Sequence, residues 1–165
     1  MPPQEVTYTN PTYAWEGDMF IGDPKGSRQS LAGLLRADNI ADLKTSLGNF
    51  TELENTLKKH KGNKAYVKGM QDTIVTFVLS LEYIEGPGGT RVYAPDVKMI
   101  LDSMRTRNKP LLIILPHWEH GDGPAGTFEI WGSELPMAGD ETQKISCTAK
   151  PYAGAEPVEW YEGSL

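Results

Sequence analysis

The stretch TIVTFVLSLEY, residues 73–83, decides the fold of this 165-residue chain. Every second residue of the stretch falls on the same face of an extended backbone. One face is mixed, and the other is mainly apolar and carries Thr73, Val75, Phe77, Leu79, Leu81 and Tyr83. A period of two with one apolar face is typical of a β-strand that lies half in a core. The stretch therefore predicts a sheet with one buried face.

The period changes in the stretch PDVKMILDSMR, residues 95–105. Its apolar residues recur at the spacing i, i+3, i+4 and i+7, and they are Val97, Ile100, Leu101 and Met104. This spacing forms one apolar stripe on an α-helix, and Pro95 suits the first helical position. The pattern predicts a helix over about residues 95–105 that packs on the sheet. The apolar run LLIIL, residues 111–115, then predicts a buried strand.

The remaining segments are short and are separated by glycine and proline. Further strands are predicted over residues 15–22, 52–58, 127–134, 143–150 and 158–161. GPGG (86–89) and GDGPAG (121–126) are predicted to be hairpin turns, because both lack the lysine and the strand–helix setting of a phosphate loop. A single helix without strand–helix alternation argues against a doubly wound fold. We expect one mainly β domain over residues 1–165, a β-sandwich or barrel with one packed helix.

Two segments lack a regular pattern. Residues 1–15 are polar with three prolines and are predicted to form an N-terminal arm. Residues 23–51 have scattered apolar positions and are predicted to form a long loop, a type of loop that is usually functional in a compact domain. Its apolar content, including Leu34 and Leu35, predicts that a neighbouring subunit covers it.

Charge is unevenly distributed along the chain. The formal net charge is -6, yet residues 1–118 hold 13 acidic and 14 basic side chains, while residues 119–165 hold nine and two. Five lysines fall within eleven residues and are candidate inter-subunit contacts: Lys58, Lys59, Lys61, Lys64 and Lys68. Regions of opposite charge suit contacts between copies of the chain, although charged segments are also commonly plain solvated surface.

No catalytic constellation emerges from the sequence. His117, Glu119 and His120 are possible metal ligands, but no HExxH helix is present, and positions i and i+3 of a strand face opposite ways. Cys147 alternates with apolar residues, which predicts a buried thiol rather than a nucleophile. We therefore expect a protein that is not an enzyme, with no cofactor and no metal site.

The same features bear on location. One cysteine excludes a disulfide framework within the chain. The longest apolar run is far shorter than the ~20 residues needed to cross a membrane. The start, MPPQEVTYTN, has neither the basic end nor the apolar stretch of a signal peptide. We expect a soluble, intracellular protein.

Several short motifs occur in an order that is similar to one known family. They are NIADL (39–43), ELENT (52–56), YVKGMQDTIVTFVLSLEY (66–83), the helix with its LLIIL strand, and GTFEIWGSELPMAGDETQKISCTAKPYAGAEPVEW (126–160). Each motif is weak alone, but their order and spacing are more specific. Over residues 37–160 the chain resembles the major tail protein, or tail tube protein, of long-tailed bacteriophages with non-contractile tails.

The resemblance implies a structural virion protein that is assembled in the cytoplasm of a host bacterium. Its subunits would form hexameric rings, each giving a sheet to a continuous inner barrel, and the rings would stack into the conduit for genome ejection. The implied partners are the chain itself, a tape measure protein in the lumen, tail terminator and distal tail proteins, and DNA in transit, with no membrane. Glu82 and Glu129 are the candidate lumen-facing residues of a wall expected to be acidic, which would repel phosphates.

Three alternatives remain open at this point. The first is a tube protein of the same fold from a type VI secretion system or a contractile tail. The second is a small metal-dependent hydrolase that uses His117, Glu119 and His120. The third is a small binding module, which a stable monomer with a saturable ligand would support.

Overall fold

A computed structural model of the chain describes residues 17–47, 73–117, 121–133, 135 and 143–163, and the backbone alone at 52–54 and 66–68. Twelve strands and one α-helix lie in these described residues, which confirms a mainly β fold with one helix. In chain order the elements are β1 (Phe20–Gly22), β2 (Leu35–Arg36), β3 (Ile40–Ser46), β4 (Glu52–Glu54), β5 (Tyr66–Lys68), β6 (Ile74–Ser80), β7 (Tyr83–Glu85), β8 (Arg91–Tyr93), α1 (Pro95–Arg105), β9 (Leu111–Ile114), β10 (Gly123–Gly132), β11 (Lys144–Pro151) and β12 (Glu159–Tyr161).

Eight of these strands form one antiparallel sheet. Seven lie in the order β2-β1-β9-β10-β11-β6-β3, and β12 pairs with β10 beside this path. The remaining strands form two separate hairpins, β4–β5 and β7–β8. The predicted GPGG turn is confirmed, because Pro87–Gly89 forms the turn of the β7–β8 hairpin.

The core lies between α1 and one face of the sheet. Val97 and Ile100 on the helix are fully buried, and they belong to the same apolar cluster as Val75, Phe77 and Leu79 of β6. The sequence placed the helix correctly, and it placed the strand face correctly as far as Leu79. The predicted end of the strand at Tyr83 is wrong, because β6 ends at Ser80 and Tyr83 begins the exposed strand β7. The helix contains residues 95–105 as predicted, because a proline at its start and an apolar stripe along one side act together.

The ten-residue strand β10 connects the two halves of the sheet. Residues 123–128 include the partners of β12 and β9, whereas residues 128–132 pair with β11. The prediction of a turn over 121–126 is therefore wrong at its second half, because residues 123–126 are strand. Gly123 serves close packing here: a Cβ at this position would collide with the carbonyl oxygen of Leu115.

The predicted long loop over residues 23–51 is also interrupted. Leu35–Arg36 and Ile40–Ser46 are strands, and the second of these pairs with β6 along the edge of the sheet. A bulge between Ala41 and Lys44 breaks the alternation, and Asp42 has a positive φ of 52°. That bulge explains why the sequence showed no clean period of two.

The first part of that segment, residues 23–34, lies on the sheet face opposite the helix. Leu31 and Leu34 pack there on a second cluster, formed by Leu112, Ile114, Ala125 and Tyr161. The side chain of Arg28 fixes the segment by donating hydrogen bonds to the carbonyl oxygens of Glu156 and Pro157 and to Thr127 Oγ1. Over β1, β9 and the start of β10 the sheet is thus buried on both faces.

Candidate functional site: the open half of the sheet

The sheet face opposite the helix is uncovered over its other half. We call this surface the open face, and it consists of the outward side chains of β3, β6, β11 and the last residues of β10. One row crosses all four strands, because Lys44 lies opposite Thr76, Thr76 opposite Thr148, and Thr148 opposite Trp131. Trp131 remains 48% exposed. The open face is thus a polar surface on a sheet whose other side is core.

Hydroxyl and charged groups dominate the rest of the open face. Ser146 lies opposite Val78, and Lys144 lies opposite Ser80. Lys150 lies opposite Glu129, and its ammonium group is 5.7 Å from the centre of the Trp131 ring. The period of two along β11 is what places its lysine, serine and threonine side chains together on this face.

The open face carries charges of both signs. Among the described residues of its four strands, three lysines, Lys44, Lys144 and Lys150, stand against two carboxylates, those of Asp42 at the bulge of β3 and of Glu129. Residues 119–165 carry a net charge of -7, yet these four strands carry no net negative charge. The acidic channel wall stays a prediction. Charge summed along a chain says little about a sheet face that collects alternate residues of four strands.

Both candidate lumen residues lie on the side of the open face. Glu129 is half-buried on β10 beside Lys150. Glu82 is exposed just beyond the end of β6, where its Oε1 accepts a hydrogen bond of 3.0 Å from Ser80 Oγ. Their assignment to a channel remains a prediction, although the structure brings them to the same side of the sheet.

The open half also has two unpaired strand edges among the described residues. No described strand pairs with β3 on the side away from β6. Along β10, pairing with β9 ends at Phe128, so residues 129–132 have a described partner only in β11. An edge exposes backbone N–H and C=O groups that a strand from another chain can use.

The candidate inter-subunit residues have different outcomes. Leu34 packs on the second cluster, and Leu35 packs on the main core, so both have partners within the chain. Their apolar character therefore needs no neighbouring subunit, and contact with one stays a prediction. Four of the candidate lysines, Lys58, Lys59, Lys61 and Lys64, lie outside the described residues. Lys68 ends β5, where only the backbone is described.

Of the three residues considered as metal ligands, His117 lies in the described part of the chain. In the described part of the chain, no three His, Cys, Asp or Glu side chains are grouped for a metal ion. Glu119 and His120 lie outside that part. The ring of His117 lies 5.5 Å from that of Trp160, whose Nε1 donates a hydrogen bond to Asp122. These two contacts join the middle of β12 to the segment between β9 and β10.

Cys147 is buried in the main core, as predicted from its alternation with apolar residues. Burial raises the pKa of its thiol to about 11, because the thiolate would lose its hydration there. A thiol with a raised pKa is a poor nucleophile at neutral pH.

Comparison with known proteins gives no identification. Neither the models of protein families nor the curated protein sequences contain a match to this chain. Within the described residues, no helix has the length and apolar character needed to span a membrane.

Proposed function

We propose that this chain is a tail tube subunit of a long-tailed bacteriophage with a non-contractile tail, acting as a structural protein and not as an enzyme. The observation that carries the proposal is the open half of the sheet. It has one buried face, one polar face and two edges without described partners. Such a sheet can be continued on both sides by copies of itself, which leaves the polar face free to line a wet channel.

The order of the sequence motifs supports the same proposal. NIADL covers the start of β3, ELENT covers β4, and the long motif at residues 66–83 covers β5 and β6. The closing motif covers most of β10, all of β11 and most of β12. The motifs that carry the resemblance thus cover the strands of the open half and the separate β4–β5 hairpin, and the helix with its LLIIL strand covers α1 and β9.

In this proposal six copies form a ring, and rings stack into the conduit for genome ejection. Edge β3 of one copy faces the free edge of β10 in the next, so the open faces form one inner wall. The tape measure protein occupies the lumen during assembly, and DNA passes through it later. Tail terminator and distal tail proteins contact the two ends of the tube in the virion.

Negative-stain electron microscopy of the purified full chain tests the proposal. We expect rings of six subunits, or tubes, at high protein concentration. Light scattering after size exclusion should give a mass that is a multiple of the 18.2 kDa chain. A protein that stays monomeric at every concentration by both methods contradicts the proposal.

Two further measurements separate the alternatives. A sheath gene or secretion genes beside this gene would indicate a contractile-tail or type VI tube, whereas a tape measure gene without a sheath gene supports the proposal. Elemental analysis of the purified protein addresses the hydrolase. A stoichiometric metal that is lost in His120→Ala would favour that reading.

A further inference from the structure

The β7–β8 hairpin exposes large apolar side chains to solvent in the described part of the chain. Tyr83 is 44% exposed, Ile84 55%, Val92 46% and Tyr93 43%. These four residues make up two thirds of the two strands, which carry only Glu85 and Arg91 besides. Exposed apolar side chains concentrated in this way indicate a contact with another molecule.

The register of the hairpin places these side chains on two different faces. Ile84 lies opposite Val92, so one face carries a bare aliphatic pair. Tyr83 lies opposite Tyr93 on the other face, where the guanidinium of Arg91 lies 4.4 Å from the centre of the Tyr83 ring. An isolated two-stranded hairpin is only marginally stable in water. The aliphatic face is therefore the part of the hairpin that gains most from a partner.

A groove of about 630 Å³ lies between α1, β1 and the start of β9. Its apolar lining consists of Pro24, Leu35, Pro95, Met99, Pro110 and Leu111. No residue of the hairpin, 83–93, lines the groove of its own chain. Leu35 and Met99 are only half-buried, so both can receive an apolar side chain from outside.

The charges on the two surfaces are compatible with contact. The hairpin strands carry one acidic and one basic residue, Glu85 and Arg91. The groove carries two of each sign, namely Asp23, Asp102, Lys98 and Lys109. Both surfaces are thus formally neutral within a chain of net charge -6. Two copies can join these surfaces without the like-charge repulsion that other surface pairings of an acidic protein meet.

We propose that the β7–β8 hairpin of one copy docks in the α1 groove of a second copy, with Ile84 and Val92 facing Leu35 and Met99. The contact joins two different surfaces, so it repeats around a ring and leaves no copy unpaired when the ring closes. The inference rests on the proposed function, and it adds a second contact beside the one between strand edges.

A double variant, Ile84→Asp with Val92→Asp, tests the hairpin. Both side chains are exposed, so we expect the fold to persist, with an unchanged circular dichroism spectrum and a mass of one chain in place of rings. Leu135→Asp is the matched control, because it places a carboxylate at an exposed apolar position outside the hairpin, the groove and both strand edges, and it should leave assembly intact. Normal rings from the double variant would overturn the inference.

A disulfide trap tests which surface receives the hairpin. In a chain carrying Ile84→Cys and Met99→Cys, oxidation should give a ladder of covalent multimers on a non-reducing gel. Each single variant should stop at dimers, and buried Cys147 should not contribute. Rings without a ladder would overturn the docking while the proposed function stood. A wild-type chain that never associates would overturn both.

Discussion

The two halves of the main sheet share the helix-covered face but differ on the opposite one. Over β9 that face carries Leu112 and Ile114, which are fully buried under residues 23–34. Over β6 and β11 it carries Thr76 and Thr148, which no described segment covers. A sheet covered on both faces is a rigid interior, whereas one covered on a single face keeps a surface for solvent or a partner. The difference indicates which half supports the fold and which half is available for assembly.

The largest expected loss of stability comes from a substitution on the helix-covered face, which both halves of the sheet share. Val97→Asp places a carboxylate in the fully buried contact between α1 and the sheet, and it should cost about 3 kcal/mol or more. Urea unfolding followed by circular dichroism measures this loss. Lys98→Asp, on the exposed side of the same helix, is the control and should change stability little. Equal effects from the two variants would contradict the described packing of α1.

The next largest effect is a difference in stability between a variant in the covered half and a variant in the open half. Leu112→Ala removes a fully buried side chain from the covered half and should lower the free energy of unfolding by about 2–5 kcal/mol. Val78→Ala is its counterpart on the open face, where the side chain is half-buried, and should cost under about 1 kcal/mol. Similar losses in the two variants would mean that the open half is covered as well.

A smaller effect on stability is expected for the contacts that hold residues 23–34 on the sheet. Arg28→Ala removes the hydrogen bonds that attach residues 23–34 to Thr127 and to the carbonyl oxygens of Glu156 and Pro157. We expect a loss of about 1–2 kcal/mol and faster hydrogen exchange in β12. Lys25→Ala in the same segment is the control, because it keeps the hydrogen bond that the Lys25 backbone N–H donates to Asp23 Oδ1. Unchanged exchange in β12 would contradict this role of Arg28.

Cys147 provides a test through pH. Its thiol has a pKa of about 11 in the folded chain against 9.0 for the ordinary group. The folded state therefore favours the neutral thiol, and this contribution to stability is complete below pH 9. It should decline as the pH rises from about 9 towards 11, because the unfolded chain then releases the proton more readily. Cys147→Ala should flatten that part of the stability profile, and an unaltered slope would argue against the effect.

The smallest effect on stability is expected on the open face. Glu129→Lys exchanges one charge beside Lys150 and should change the free energy of unfolding by less than about 1 kcal/mol. In the tube proposal the variant still assembles, but it adds a positive charge to the wall and slows genome ejection. Genome ejection at the wild-type rate would contradict the assignment of Glu129 to the lumen.

The elements that the sequence predicted best are those with one strong local pattern. The period of two in β6 and the apolar stripe of α1 both fix which side of the element is buried, and both predictions are confirmed. Strand β3 was missed because a bulge at Asp42 breaks its alternation. The start of β10 was missed because its glycines indicate a turn in most sequences, yet here Gly123 permits close contact with the carbonyl group of Leu115, the residue that follows β9.

The candidate site was less predictable than the fold for a similar reason. Alternation along β11 could place Lys144, Ser146 and Lys150 on one face. It could not show that Lys44 and Trp131 join the same surface, because that depends on the register between strands. The exposure of Ile84 and Val92 could not be predicted either. A short apolar strand has the same sequence pattern whether its face is buried or exposed to solvent.

By itself the sequence determined that the chain forms a mainly β domain with one helix on a half-buried sheet. Those features follow from side-chain periods, which act over a few neighbouring residues. Only the tertiary structure decided that residues 23–34 cover one half of the sheet and leave the other half open. That outcome depends on contacts such as those of Arg28 with residues about 100 or more positions away, and no local pattern encodes them.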